Sequence, residues 1–420
     1  MRPRVLTFLL MTTIGAGAAN AAAQQGPDIG ARLMQDAAVR AAVLAAREDE
    51  AQTIQDQIRI CEVPAPPFKE AARATLYAEE FRKVGLTNVR IDREGNVLGE
   101  RPGKAERPHL VFTAHLDTVF PEETNVKVAR EGTLLKGPGI GDDCRGLAVL
   151  LAVVRAMNKA NVQTPGTITF VGTVGEEGLG DLRGVKALFG ETLKDRIDRF
   201  VSVDGTGLSI THIAVGSLRY RVTFKGQGGH SYGAFGIANP VHALGRAIAG
   251  MADLQVPTDP KTTFNVGRVG GGTSVNAIAF EAWMEVDMRS IDPAALAAVD
   301  AAFHKAVVNA VAAENKRWTD GGSVTVEKTL VGNRPAGRTE ATAPIVQAAL
   351  SVSKALGLRA QLDEGSTDSN IAMSLGIPAI TVDGGGRGTG AHALEETFDT
   401  QDSWQGTQRA LLLAIALAQP

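Results

Sequence analysis

The chain repeatedly follows a short, strongly apolar run with a carboxylate or a histidine, a pattern that restricts it to very few folds. Residues 109–114 run into His115-Leu-Asp117-Thr, residues 167–174 into Gly175-Glu176-Glu177-Gly, and residues 199–203 into Asp204-Gly. A fourth run, 378–382, leads through a glycine-rich turn to His392. Short apolar runs bounded by turn residues read as strands buried on both faces. Between the first two lie residues 147–157, apolar nearly all round, which reads as a helix packed behind a sheet. Strands alternating with helices give an open α/β sheet, whose ligands bind in the crevice outside the carboxyl ends of the strands. Polar side chains remote in sequence then meet in one place.

Taken singly, each of these residues has an ordinary reading. His115 alone is a hydrogen-bonded structural histidine, Asp142-Asp143 a solvated turn, and Glu176-Glu177 a helix start whose charges suit the N-terminal dipole. Recurrence at several strand ends argues instead for something cationic between them. His115, Asp142, Glu177, Asp204 and His392 are a set of donors able to hold two zinc ions.

In order and spacing, His115-Leu-Asp117-Thr, Gly137-Pro-Gly-Ile-Gly-Asp142-Asp-Cys-Arg-Gly146, Gly175-Glu176-Glu177-Gly, Val203-Asp204-Gly and the late His392 resemble the M20 family of dizinc metallopeptidases and aminoacylases. The resemblance covers nearly all of the chain after its first sixty or so residues. It implies a three-layer α/β/α catalytic domain of the zinc-peptidase type, with an inserted ferredoxin-like α+β lid and dimerisation domain. By the same resemblance Asp142 bridges two Zn²⁺, His115 and Asp204 complete one site, and Glu177 and His392 complete the other. Asp117 hydrogen-bonds the His115 imidazole, and Glu176 is the general base for a metal-bridging hydroxide. Co²⁺ or Mn²⁺ also suits such N/O donors. One departure is that Cys144-Arg145 follow the acidic pair where many relatives have Lys, so positive charge near the metals would come from the Arg145 guanidinium.

The 420 residues exceed what a single core usually serves, so two parts are expected. The boundaries read as a signal peptide over 1–23, a first catalytic segment over 24–214, an insert over 215–330 and a second catalytic segment over 331–420. Helices are expected over 31–60 and 70–84, and a strand pair over 89–98. Within the insert, alternation at 218–224, a helix at 239–254, two strands within 264–289, a helix at 293–315 and a strand at 324–328 spell β-α-β-β-α-β. The resemblance has His230 of Gly228-Gly-His-Ser231 reach the substrate, often across a dimer interface, to stabilise an oxyanion. It has Asn276 and Arg289 grip a substrate carboxylate, with backbone N–H groups of Gly384-Gly385-Gly386 as further donors.

Met1-Arg-Pro-Arg4, an apolar stretch over 5–18 and Ala19-Asn-Ala21 or Ala21-Ala-Ala23 form a secretory signal with a small-x-small cleavage site. Export to a bacterial periplasm or beyond is expected, and loss of Arg2 and Arg4 moves the formal charge from −3 to −5. That acidity argues against nucleic acid as a partner, and no interior stretch of about 20 apolar residues suggests a membrane span. Cys61 and Cys144 read as free thiols. The expected enzyme cleaves amide bonds in small peptides, with N-acyl amino acids as the second substrate class. Two rival readings stay open: a serine hydrolase built on Gly229-His-Ser231-Tyr-Gly233 with Asp383 and His392, and a non-catalytic peptide-binding protein.

Overall fold

The computed structural model describes residues 28–318 and 321–420, so the expected signal peptide lies outside the described residues. The main sheet has the spatial order Thr87–Ile91, Val97–Arg101, Ile168–Thr173, Leu110–His115, Arg199–Val203, Ala379–Val382, Ile210–Ala214, Gly337–Arg338, and Leu362–Gly365 also pairs with Ile210–Ala214. Its four central strands, 168–173, 110–115, 199–203 and 379–382, run parallel. All four are buried along their length apart from Arg199, as expected of strands with helices on both faces. Phe112, Phe170, Val201 and Ile380 point to one face, under helices Ala37–Glu48, Cys144–Lys159, Pro344–Ala355 and Trp404–Leu417. Val111, Val171, Phe200 and Ala379 point to the other, against residues of 182–197 and 369–374. Period-two alternation thus feeds two separate cores from one set of strands.

The chain leaves strand 110–115 toward 168–173 on one side, whereas strand 199–203 continues to 210–214 on the other. The carboxyl ends of these two neighbours therefore flank a topological switch point, where a crevice opens. Helix 144–159 closes it from behind, with every side chain from Leu147 to Val154 fully buried. Each leucine or valine there contributes about 1.5–3 kcal/mol by burial. Gly146 allows the close approach, since a Cβ would lie 2.3 Å from Asp143 Oδ1 and 2.4 Å from the Val203 carbonyl.

A second, four-stranded antiparallel sheet has the order Thr262–Gly271, Glu281–Ser290, Gly216–Lys225, Thr325–Arg334. With helices Pro240–Ala252 and Pro293–Arg317 it follows the β-α-β-β-α-β order, and Asn239 and Asp292 cap the two helices ahead of their prolines. Val222, Phe224, Met284, Val286, Met288, Leu244 and Phe303 form its own core. By length and composition alone the 293–317 helix could cross a membrane; here it lays Leu296, Val299, Phe303 and Val307 on this sheet. The last strand continues to Arg334, past the boundary expected at 330.

The N-terminal helical region is broken, contrary to the single helix expected over 31–60. Helices Ile29–Leu33, Ala37–Glu48 and Glu50–Cys61 succeed one another, because Asp36 folds back to cap Ala38 and Val39 and local caps outcompete continuous helix. Cys61 and Cys144 are both buried and free.

Arg145 does not supply charge to the acidic cluster. Its fully buried guanidinium donates to the Gly384 carbonyl at 2.8 Å, the Ser403 carbonyl at 2.7 Å, Thr407 Oγ1 at 3.2 Å and Glu50 Oε1 at 3.1 Å. It staples helices 50–61 and 404–417 to the glycine turn after strand 379–382. Arg145→Met strips buried Glu50 of its ion pair and removes the donor to the Gly384 carbonyl, and is expected to lower stability by about 3–5 kcal/mol, read as a drop in the urea midpoint.

Candidate metal centre

Asp142 stands at the centre of the crevice, and its two carboxylate oxygens face different histidines. Oδ1 lies 2.9 Å from His115 Nε2, and that same nitrogen is 4.0 Å from Asp204 Oδ1. Oδ2 lies 3.2 Å from His392 Nε2, and His392 Nε2 is 2.9 Å from Glu177 Oε1. His115 ends its strand and Asp204 and Glu177 follow theirs closely, so the sheet delivers these three directly.

His392 and Asp142 arrive differently. A small sheet pairs Arg387–Thr389 with Thr397–Asp399, and the latter with Leu134–Lys136. His392 sits in the connection of that hairpin, at φ 66°, and strand 134–136 runs straight into the Gly137–Gly141 loop that carries Asp142. Glu396 locks the two together. Its carboxylate accepts the N–H groups of Gly139 at 2.7 Å, Gly141 at 2.8 Å and Asp142 at 3.1 Å. Asp143 holds the other side, accepting the His115 N–H and the Gly146 N–H, each at 3.0 Å.

The Asp117 carboxylate was expected on the imidazole; it is used elsewhere. His115 Nδ1 is 3.0 Å from the Asp117 backbone carbonyl, while the nearer side-chain oxygen is 3.7 Å away. The carbonyl is the closer acceptor and suits Nδ1–H, leaving Nε2 free toward Asp142. The freed carboxylate accepts the N–H of Glu176 at 3.0 Å and of Glu177 at 2.8 Å. Asp117 therefore clamps the glutamate pair.

Electrostatics single out the same cluster. Burial alone would raise the Asp142 carboxyl, but hydrogen bonds from His115 and His392 outweigh it and hold it well below the usual range. Burial pushes Asp204 well up, and Asp142, Glu176 and Glu177 add repulsion. Hydrogen bonds to Asp142 and Glu177 push His392 up to about 10. Such a congregation of acids outnumbers the cationic groups beside it, and the donor set of two imidazoles and three carboxylates, divided by the two oxygens of Asp142, fits a pair of divalent cations. His115, Asp142 and Glu177 offer ligand atoms within 4.8 Å of one another.

The expected substrate-binding residues are placed less directly. His230 is exposed, and its Nδ1 accepts the N–H groups of Tyr232 and Gly233 at 3.3 and 3.2 Å. Its two-residue strand pairs with Ala277–Ile278, which sets it beside exposed Asn276. Arg289 Nε binds Asp287 Oδ2 at 2.7 Å. Gly385 is corrected as a donor, because its N–H already serves the Gly207 carbonyl at 3.1 Å and that of Gly384 serves Gly205 at 2.9 Å; the turn is consumed in packing against strand 199–203. Ser231 lies in a turn of the insert, with its N–H on the Asn276 carbonyl, not between a strand and a helix of the main sheet. His392 is engaged with Asp142 and Glu177, so the nucleophile-elbow reading fails.

Two site residues escaped the sequence reading. Glu396 lies one helical turn's distance in sequence beyond His392, inside a polar stretch with no pattern around it. Arg334 Nη1 meets Glu176 Oε1 at 2.9 Å with both groups buried, and Asn-Arg-Pro at the end of a strand carries no local signal of that partner.

Residues 111–416 match the profile of Peptidase family M20/M25/M40. The chain belongs to that family. It is 25% identical over 383 residues to a succinyl-diaminopimelate desuccinylase of Delftia acidovorans, covering 84% of this chain and 94% of the relative. A Staphylococcus aureus tripeptidase superposes with a TM-score of 0.71 at 22% identity, over 88% of this chain and 98% of that one. A Bacillus subtilis dinuclear metal binding peptidase of family M20, the YXEP protein, superposes with a TM-score of 0.65 at 18% identity, over 88% of this chain and 98% of its own. The M20 fold and a candidate metal site within it are thus common ground.

Removing the Glu396 cradle in Glu396→Ala should weaken metal affinity by about 10–100-fold, the range for groups that orient ligands, measured by competition with a chromophoric chelator. Because His392 is held protonated up to about pH 10 without metal, cation binding must release protons. Apparent affinity should therefore rise with pH below that value, and calorimetry in buffers of different ionisation enthalpy should count the protons.

Proposed function

We propose that this M20-family hydrolase cleaves amide bonds in small peptides, using two Zn²⁺ held by His115, Asp142, Glu177, Asp204 and His392. The division of the Asp142 carboxylate between two histidines is the observation that carries the reading. It supports one cation among His115, Asp142 and Asp204 and another among Asp142, Glu177 and His392. When bound, such a pair supplies a hydroxide nucleophile near neutral pH and polarises the scissile carbonyl.

The chain's own residues divide the remaining work. Glu177 faces His392, whereas its neighbour Glu176 is turned to Arg334 and is left free of the ligand set. Burial raises the Glu176 carboxyl while Arg334 opposes that rise, which suits a group that must accept and then release a proton. Glu176 takes the proton of the attacking water as the new C–O bond forms. It then delivers that proton to the amine nitrogen as the C–N bond breaks, leaving a carboxylate and a free amine. Asp117 keeps both glutamates in register through their N–H groups.

The insert, expected over 215–330 and carried on to Arg334 by its last strand, serves as lid and dimerisation domain in this reading, between the two catalytic segments. His230 and Asn276, adjacent on its exposed tip, would act on the substrate of a partner subunit, and Arg289 would receive a substrate carboxylate by exchanging Asp287 for it. The protein would work outside the cytoplasm after removal of residues 1–23, as a homodimer without nucleic-acid or membrane partners. N-acyl amino acids are the second substrate class, favoured by likeness to a desuccinylase along most of the chain.

Glu176→Gln should retain about two metals per chain and lose activity by about 10²–10⁴-fold. Hydrolysis of a panel of free di- and tripeptides, N-acyl amino acids and blocked peptides, followed by mass spectrometry with and without chelator, tests this and names the bond cleaved. Undiminished turnover in the variant at unchanged metal content would sink the assignment.

A further inference from the structure

The segment from Gly175 to Lys186 carries Glu176 and Glu177, and its backbone is under strain. Asp181 and Leu182 both adopt left-handed conformations, at φ 54° and 59°, although neither is glycine and Leu182 is fully buried. Bulky residues rarely hold such angles unless their surroundings enforce them. Leu182 is pinned by the core it shares with Val185, Leu188 and Phe200.

Asp181 is pinned by the insert. Its Oδ1 accepts the Asn333 N–H at 2.7 Å, and its Oδ2 accepts Lys186 Nζ at 2.6 Å. Lys186 Nζ also reaches the Asn333 carbonyl at 3.0 Å. Arg219, on the neighbouring strand, donates to the Gly178 carbonyl at 2.6 Å. Arg334 holds both the side chain and the backbone carbonyl of Glu176. Three residues on adjacent strands of the insert therefore grip three points of one loop.

We propose that Asp181 is a positioning residue: it latches the strained loop to the insert, and through that loop it fixes where Glu176 stands. Arg219 is the second fastening of the same latch. Because the insert grips the loop at Glu176 itself and again at Gly178 and Asp181 beyond it, its orientation sets the reach of the base, and the lid and the proton-transfer group move as one unit. The inference rests on the reading of Glu176 as general base. Asn at 181 keeps an acceptor oxygen and tolerates the left-handed region, whereas Ala loses both.

The test uses the full zinc-loaded chain and the fastest-cleaved member of the panel. Asp181→Ala is expected to lower kcat by about 10- to 100-fold, as misplacement of a catalytic group does, with KM within about threefold and metal content unchanged. Asp181→Asn should recover most of the loss. In the Glu176→Gln background, Asp181→Ala should cause no further loss, since the base it positions is gone. Hydrogen exchange of the 175–186 amides should quicken in Asp181→Ala and return in Asp181→Asn. Arg219→Met supplies a second variant should Asp181→Ala fail to fold, with the same direction expected in kcat and exchange. Wild-type kcat and exchange in the folded variants would overturn the latch, as would an equal loss on top of Glu176→Gln. An active Glu176→Gln would instead remove the base assignment, and the exchange result would still judge the latch.

Discussion

Carboxylates packed into a buried crevice repel one another, and most of what is distinctive in this structure answers that repulsion. Asp142, Glu177 and Asp204 converge beside the further acids Asp117, Asp143 and Glu176. Only three kinds of positive charge can hold them there: imidazole, guanidinium and the partial charge of backbone N–H groups. His115 and His392 take the two oxygens of Asp142, and Arg334 takes Glu176. Asp117, Asp143 and Glu396 are each satisfied by main-chain donors of the very loops that carry the other acids. A pair of divalent cations would complete this balance, which is why the donor set reads as a metal centre even before its chemistry is considered.

The N–H contacts have a second consequence. An acid that accepts from backbone amides shapes the loop that presents them, so the cluster organises itself: Asp117 sets the Glu176–Glu177 turn, and Glu396 sets the approach to Asp142. The helix N-terminus at Cys144, capped by Asp143, ties the same cradle to the most deeply buried helix of the molecule. Burial of that helix thereby supports the rigidity that a site of preorganised charge requires.

The attachment of the insert is uneven. Its own core is closed by two helices on one face, while the opposite face is polar, with Arg219, Arg221, Glu285 and Asp287 paired across strands. Through Arg219, Asn333 and Arg334 that polar side fastens on the glutamate loop. Fold and chemistry meet at this seam. A cavity of about 460 Å³ lies at the far end of the sheet, between Arg199, Ile345 and Leu417.

Much of this was legible in the residues themselves. Strands buried on both faces must be apolar throughout, so 110–115, 168–173 and 199–203 announced themselves, and the polar residue that ends each run had nowhere to go but the carboxyl edge. Period-two alternation at 218–224 and the helical stretches around it likewise marked the insert. Helix breaks at Asp36 and Asp49 were not legible, because alanine-rich periodicity continues through them, while a local cap decides the first and Asp49 turns its carboxylate to the distant Arg155. Contacts between loops were beyond reach for a different reason. That Glu396 holds Asp142, that Asp117 clamps the glutamate pair, that Arg145 turns away to Glu50 and that Arg334 meets Glu176 all depend on which N–H and carboxylate groups are left without partners once the sheet has formed. Periodicity is a property of neighbours along the chain, whereas partner choice among buried polar groups is settled by proximity in space.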